Sequence, residues 1–75
     1  MNTSNEAPQY LTIRQFVEKQ TAFTPGGVRS VIFYRGDEAE KAGAIARLGR
    51  RILIDEPRFL EWIREGGARQ IRGAA

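Results

Sequence analysis

The sequence predicts an α+β fold of three short helices and one β-hairpin. Three observations carry that expectation. Apolar residues recur at helical spacing within residues 13–17, 28–32 and 59–63, each stretch behind a capping residue or a proline. Branched and apolar residues flank Gly49-Arg50 on both sides, as a tight hairpin requires. The 75 residues contain no cysteine, so one small core without disulfides has to hold the chain. Residues 1–9 read as a flexible N-terminal tail, 10–66 as the domain, and 67–75 as a flexible C-terminal tail.

The tail shows no periodicity and includes Pro8. In "YLTIRQFVEKQ", Thr12 is placed to cap a helix over about 13–20, and Gln15 completes a capping box. Ile13, Phe16 and Val17 form its stripe, with Leu11 as a hydrophobic staple. Thr21, Ala22 and Phe23 make a short turn, with Phe23 directed into the core. The second helix starts at Thr24 as N-cap, with Pro25 at the first helical position, where the missing N–H costs nothing. At about 100° per residue, Val28, Val31, Ile32 and Arg35 share one side. Gly26, Ser30, Phe33 and Tyr34 fall opposite, with Gly27 and Arg29 flanking.

Gly36 is expected to end this helix and "GDEAEKAGA" to form a polar loop. In "AIARLGRRILID", pairing Leu48 with Ile52 and Ala46 with Ile54 turns those four inward. Arg47, Arg50 and Arg51 then surround the hairpin tip. Asp55 or Glu56 caps the last helix, Pro57 sits in its first turn, and Phe59, Leu60 and Ile63 form its stripe. Trp62 lies at the edge of that stripe, Gly66-Gly67 stops the helix, and "ARQIRGAA" is expected to fray.

Composition narrows the function. There is no histidine, which removes the commonest general base and metal ligand, and no cysteine for a thiolate site. Glu38, Glu40, Glu61 and Glu65 read as solvated faces and helix pairs, so the expectation is a protein that is not an enzyme, with no cofactor and no metal. No apolar run approaches the roughly 20 residues of a membrane span, and the N-terminus shows no signal-peptide pattern. The expected location is cytoplasmic, with no membrane partner. The net charge of +3 is unevenly spread. Residues 1–27 and 55–75 each balance to zero, whereas residues 28–54 carry six bases and three acids. The excess in the middle third points to an anionic partner.

That excess coincides with the second helix and the hairpin. Two glycines in a first turn weaken a helix by roughly 1 kcal/mol each, so Gly26 and Gly27 call for a reason. Glycine admits close backbone approach, and N–H groups at a helix start favour an anion. Gly26, Gly27 and the Thr24 hydroxyl suit a phosphate contact where a helix meets a nucleic-acid groove. Arg29 and Ser30 follow within reach of base edges, where an arginine on guanine contributes roughly 1–3 kcal/mol of discrimination. Phe33 and Tyr34 meet a thymine methyl, the sugar-phosphate wall, or the hairpin of the same chain. Arg47, Arg50 and Arg51 suit phosphate contacts from the hairpin tip.

The combination "YLTIRQFVEK…FTPGGVRSVIFYR…AIARLGRRILIDEPRFLEWI" resembles the small winged-helix DNA-binding proteins of mobile elements. These are the excisionases (recombination directionality factors) and AlpA-type regulators of the MerR-like superfamily. The resemblance covers about residues 10–65 and implies a winged helix-turn-helix with a hairpin wing. It implies a recognition helix in the major groove carrying Thr24, Gly26, Gly27, Arg29, Ser30 and Tyr34, and a wing carrying Arg47, Arg50 and Arg51. It further implies double-stranded DNA as partner, DNA bending, cooperative self-association on DNA, and work with an integrase (a tyrosine recombinase). The AlpA-type alternative acts at promoters in transcription regulation. A reading from another class is a protein-interaction adaptor presenting Phe33, Tyr34 and Trp62. Two departures from the family pattern stand out: the long acidic connection "GDEAEKAGA" and the Gly-Gly helix start.

Overall fold

A computed structural model describes residues 9–68. Its elements are β1 (Tyr10–Leu11), α1 (Ile13–Lys19), α2 (Pro25–Lys41), β2 (Ile45–Leu48), β3 (Arg51–Asp55) and α3 (Glu56–Arg64). The three strands form one antiparallel sheet in the order β1-β3-β2. The expected N-terminal tail, apart from Gln9, lies outside the described residues, as does the C-terminal tail beyond Ala68. Ala68 itself packs against the core, so packing continues past the boundary placed at residue 66.

α1 begins as expected. Thr12 Oγ1 accepts from the Gln15 N–H at 3.1 Å, and the Thr12 N–H donates to Gln15 Oε1 at 3.0 Å, closing the capping box. Phe16 is fully buried and meets Phe23 and Phe59 with ring centroids 5.1 and 5.2 Å apart. This aromatic trio joins α1, the turn after it and α3. Val28, Val31, Ala39, Ala44, Ile45 and Ile54 complete the buried core. Leu11 packs against it through a strand too short to show any alternation in sequence.

The largest departure lies in α2. Regular helix breaks at Arg35, next to the stop expected at Gly36, but a further helical stretch continues to Lys41, so most of the expected polar loop is helical. Arg35 has non-helical angles (φ −131°, ψ 19°) and marks a kink in mid-element. The physical reason is that Glu38, Ala39, Glu40 and Lys41 are good helix formers, and Ala39 is fully buried. The stop is Gly43, whose φ of +79° is open to glycine at little cost. The Gly43 N–H donates to Glu40 O at 3.0 Å and the Ala44 N–H to Ala39 O at 2.8 Å, the two bonds of a Schellman motif.

The hairpin forms around Gly49-Arg50, but its register differs by one residue from the expectation. Leu48 faces Arg51, Arg47 faces Ile52, Ala46 faces Leu53 and Ile45 faces Ile54. Only Gly49 has positive φ (+61°), the sign pattern of a two-residue type II′ turn. Because side chains alternate, a one-residue change exchanges faces. Ile45 therefore takes the buried place, and Leu48 is 65% exposed.

α3 begins at Asp55, whose side chain makes no capping bond. Asp55 is buried and lies 3.8 Å from Arg58 Nε. Glu56 turns back towards α1. It accepts from Lys19 Nζ at 2.9 Å and from Gln20 Nε2 at 2.7 Å. The Gln20 amide first, and then the Lys19 ammonium, hold its carboxyl below the ordinary range against the opposing effect of burial. Phe59 is fully buried, and Trp62 packs half-buried against it.

Candidate functional site

The exposed side of α2 begins at its cap. Thr24 Oγ1 accepts from the Gly27 N–H at 3.0 Å, so that N–H is already engaged within the helix. A Cβ at Gly27 would lie 3.1 Å from the same oxygen, whereas one at Gly26 would meet nothing within 4 Å. Of the two glycines, Gly26 is the one with open space beside it. Arg29 is exposed and Ser30 half-buried. Phe33 is 80% exposed and Tyr34 57% exposed, and their rings stand edge to face with centroids 4.9 Å apart. The hairpin leaves the Phe33 ring uncovered.

The three arginines expected around the hairpin tip divide into two groups. Arg50 and Arg51 are exposed at the turn. Arg47 reaches across to α2, where its Nη1 lies 3.4 Å from Asp37 Oδ1 and 3.5 Å from Glu40 Oε1. Gly36 lies beneath it: a Cβ there would stand 2.6 Å from Arg47 Nη2, so the end of the guanidinium would have to shift. Arg35 Nη1 donates to Glu38 Oε1 at 2.8 Å on the same segment. Asp37, Glu38 and Glu40 thus pair with two bases of the middle third. An open groove of about 320 Å³ runs here, lined by Phe33, Tyr34, Arg35, Asp37, Glu38 and Arg47 among others.

Pairing sorts the arginines. Among the described residues, Arg14, Arg35, Arg47, Arg58 and Arg64 each lie within 4.0 Å of a carboxylate oxygen. Arg29, Arg50 and Arg51 have no such partner among the described residues. The site is therefore positive at the start of α2 and at the hairpin turn, and mixed in charge along the later turns of α2. Reading residues 37–41 as helix would have put Asp37 and Glu40, three apart, on one face, but their meeting with Arg47 comes from the packing of β2 against α2.

Among the described residues, no helix is long and apolar enough to cross a membrane. Family models, curated proteins and solved structures were all compared with the chain, and none matches it.

Proposed function

We propose that this chain is a sequence-specific, double-stranded DNA-binding and DNA-bending protein of the winged helix-turn-helix type, working in the cytoplasm without catalysis. The observation that carries the reading is the unpaired state of Arg29, Arg50 and Arg51, which sit at the two places where such a protein meets DNA. An arginine already satisfied by a carboxylate gains little from a phosphate; one left in water gains a charge-assisted bond and releases counterions. The B-DNA major groove, about 12 Å wide, admits an α-helix. In this reading the start of α2 enters the groove, with Gly26 open to a phosphate and Arg29 and Ser30 at base edges. Arg50 and Arg51 hold the backbone from the wing. The later turns of α2 stay outside, because Asp37 and Glu38 repel phosphate.

The resemblance to excisionases supplies the finer proposal. The chain acts as a recombination directionality factor with an integrase, and several copies share a deformation that costs of order 1–6 kcal/mol for a short site. Promoter control of the AlpA type is the alternative within the class. The exposure of Phe33 favours a protein-docking reading, although Trp62 contributes little to it because it packs against Phe59.

A gel-shift titration on duplexes from the gene's own neighbourhood, against random competitor, tests the reading. Wild type should form competitor-resistant complexes that weaken steeply with salt. Arg29→Ala should reduce discrimination between cognate and random DNA by roughly 5- to 150-fold, the equivalent of about 1–3 kcal/mol. Equal loss on both DNAs would count against Arg29 as a base reader.

A further inference from the structure

We infer that the exposed face of α2 binds the same face of a second copy of this chain, antiparallel, about a two-fold axis beside Phe33. Phe33 is 80% exposed and lies against Tyr34, so the middle of the face is apolar and uncovered. Arg29 stands four residues before Phe33, one helical turn towards the N-terminus. Asp37 stands four residues after it, and although the kink at Arg35 intervenes, Asp37 lines the same groove as Phe33 and Tyr34. The face therefore reads base, aromatic, acid along its length. A two-fold axis at the aromatic reverses that order on the second copy, so Arg29 of each chain meets Asp37 of the other.

Both charges are available for this. Arg29 has no ion pair among the described residues. The Asp37 side chain is 93% exposed, and only its Oδ1 approaches Arg47, at 3.4 Å. Arg47 retains Glu40 at 3.5 Å if Asp37 turns outward. The second copy is favoured as occupant because this charge order complements itself, whereas a uniformly anionic partner would meet Asp37 with repulsion.

The area sets the strength. A buried aromatic side chain contributes roughly 150–250 Å², so covering the exposed parts of Phe33 and Tyr34 on both copies removes on the order of 500 Å². Stable interfaces bury roughly 1,200–2,000 Å², so the pair is transient and favoured by high protein concentration. Where Arg29 also reads DNA, which rests on the function proposed above, pairing and DNA binding exclude each other. The pairing itself is independent of that reading and is tested without DNA.

The test is sedimentation velocity of the full chain from about 10 μM to about 1 mM, which spans weak, transient association. Wild type should shift from monomer towards dimer across it. Arg29→Asp and Asp37→Arg should each remain monomeric, because each brings like charges together at both ends. An equimolar mixture of the two should associate at least as well as wild type, since every facing pair is then opposite in charge. Phe33→Ser should abolish association with an unchanged circular-dichroism spectrum. Wild type that stays monomeric at about 1 mM, a folded mixture that fails to associate, or Phe33→Ser that pairs like wild type would each overturn the inference.

Discussion

Replacing Glu56 by glutamine tests the tie between α1 and α3. The substitution preserves shape and removes the charge that accepts from Lys19 and Gln20 at 2.9 and 2.7 Å. Fully buried pairs cost about 3–5 kcal/mol when broken, and exposed pairs contribute about 0.2–1 kcal/mol. This pair lies between, because the Glu56 side chain is 10% exposed and that of Lys19 60%. A loss of about 1–2 kcal/mol at pH 7 follows, which for a domain of this size lowers Tm by roughly 5–15 °C. The pH dependence is the sharper part. Hydrogen bonds from Gln20 and Lys19 lower the Glu56 pKa from its ordinary 4.5 on folding. Its contribution is therefore complete above 4.5 and disappears as pH falls through the folded value. Melting both proteins from pH 7 to pH 3 by circular dichroism should show a Tm gap that is widest at neutral pH and narrows in acid. Because the other carboxylates titrate in both proteins, the gap isolates Glu56. A gap that is constant across this range would refute the charge-based account, as would no gap at pH 7.

Other outcomes follow from the same geometry. Gly43→Ala places a side chain at φ +79° and 2.9 Å from Arg58 Nη1, so a loss of about 1–2 kcal/mol is expected in urea denaturation. Arg47→Ala breaks only partly exposed ion pairs and should cost under about 1 kcal/mol in the same assay. If the DNA proposal holds, Arg47→Ala should leave the salt slope of binding nearly unchanged, while Arg50→Ala reduces it by about 0.9 log units per log salt.

The helix starts were legible because caps are local. Thr12, Gln15, Thr24 and Pro25 do their work within four residues, and each stands where the spacing placed it. The end of α2 was not legible, because Gly36 and Gly43 look alike in sequence. What separates them is tertiary: Gly36 is buried beneath Arg47, and Gly43 closes the helix with a left-handed turn. The hairpin turn was evident at Gly49-Arg50, and its register decides whether Ile45 or Ala46 enters the core. A two-residue turn at Gly49-Arg50 pairs Leu48 with Arg51 and so places Ile45 opposite Ile54, in agreement with the packing beneath the sheet. Among the proposed DNA-contacting residues, Arg29, Arg50 and Arg51 are exposed and unpaired among the described residues. Arg47 lies in the hairpin near the tip, but its guanidinium turns to Asp37 and Glu40, in a segment read as loop.

The most direct test of the central claim is an amide-resolved NMR titration of the protein with a duplex from its gene's neighbourhood. The account predicts resonance changes concentrated at residues 24–30 and 49–51, with residues 37–41 nearly unaffected because their carboxylates keep the phosphates away. Changes centred on residues 37–41 or on α3, or no changes with a folded protein at saturating DNA, would contradict it.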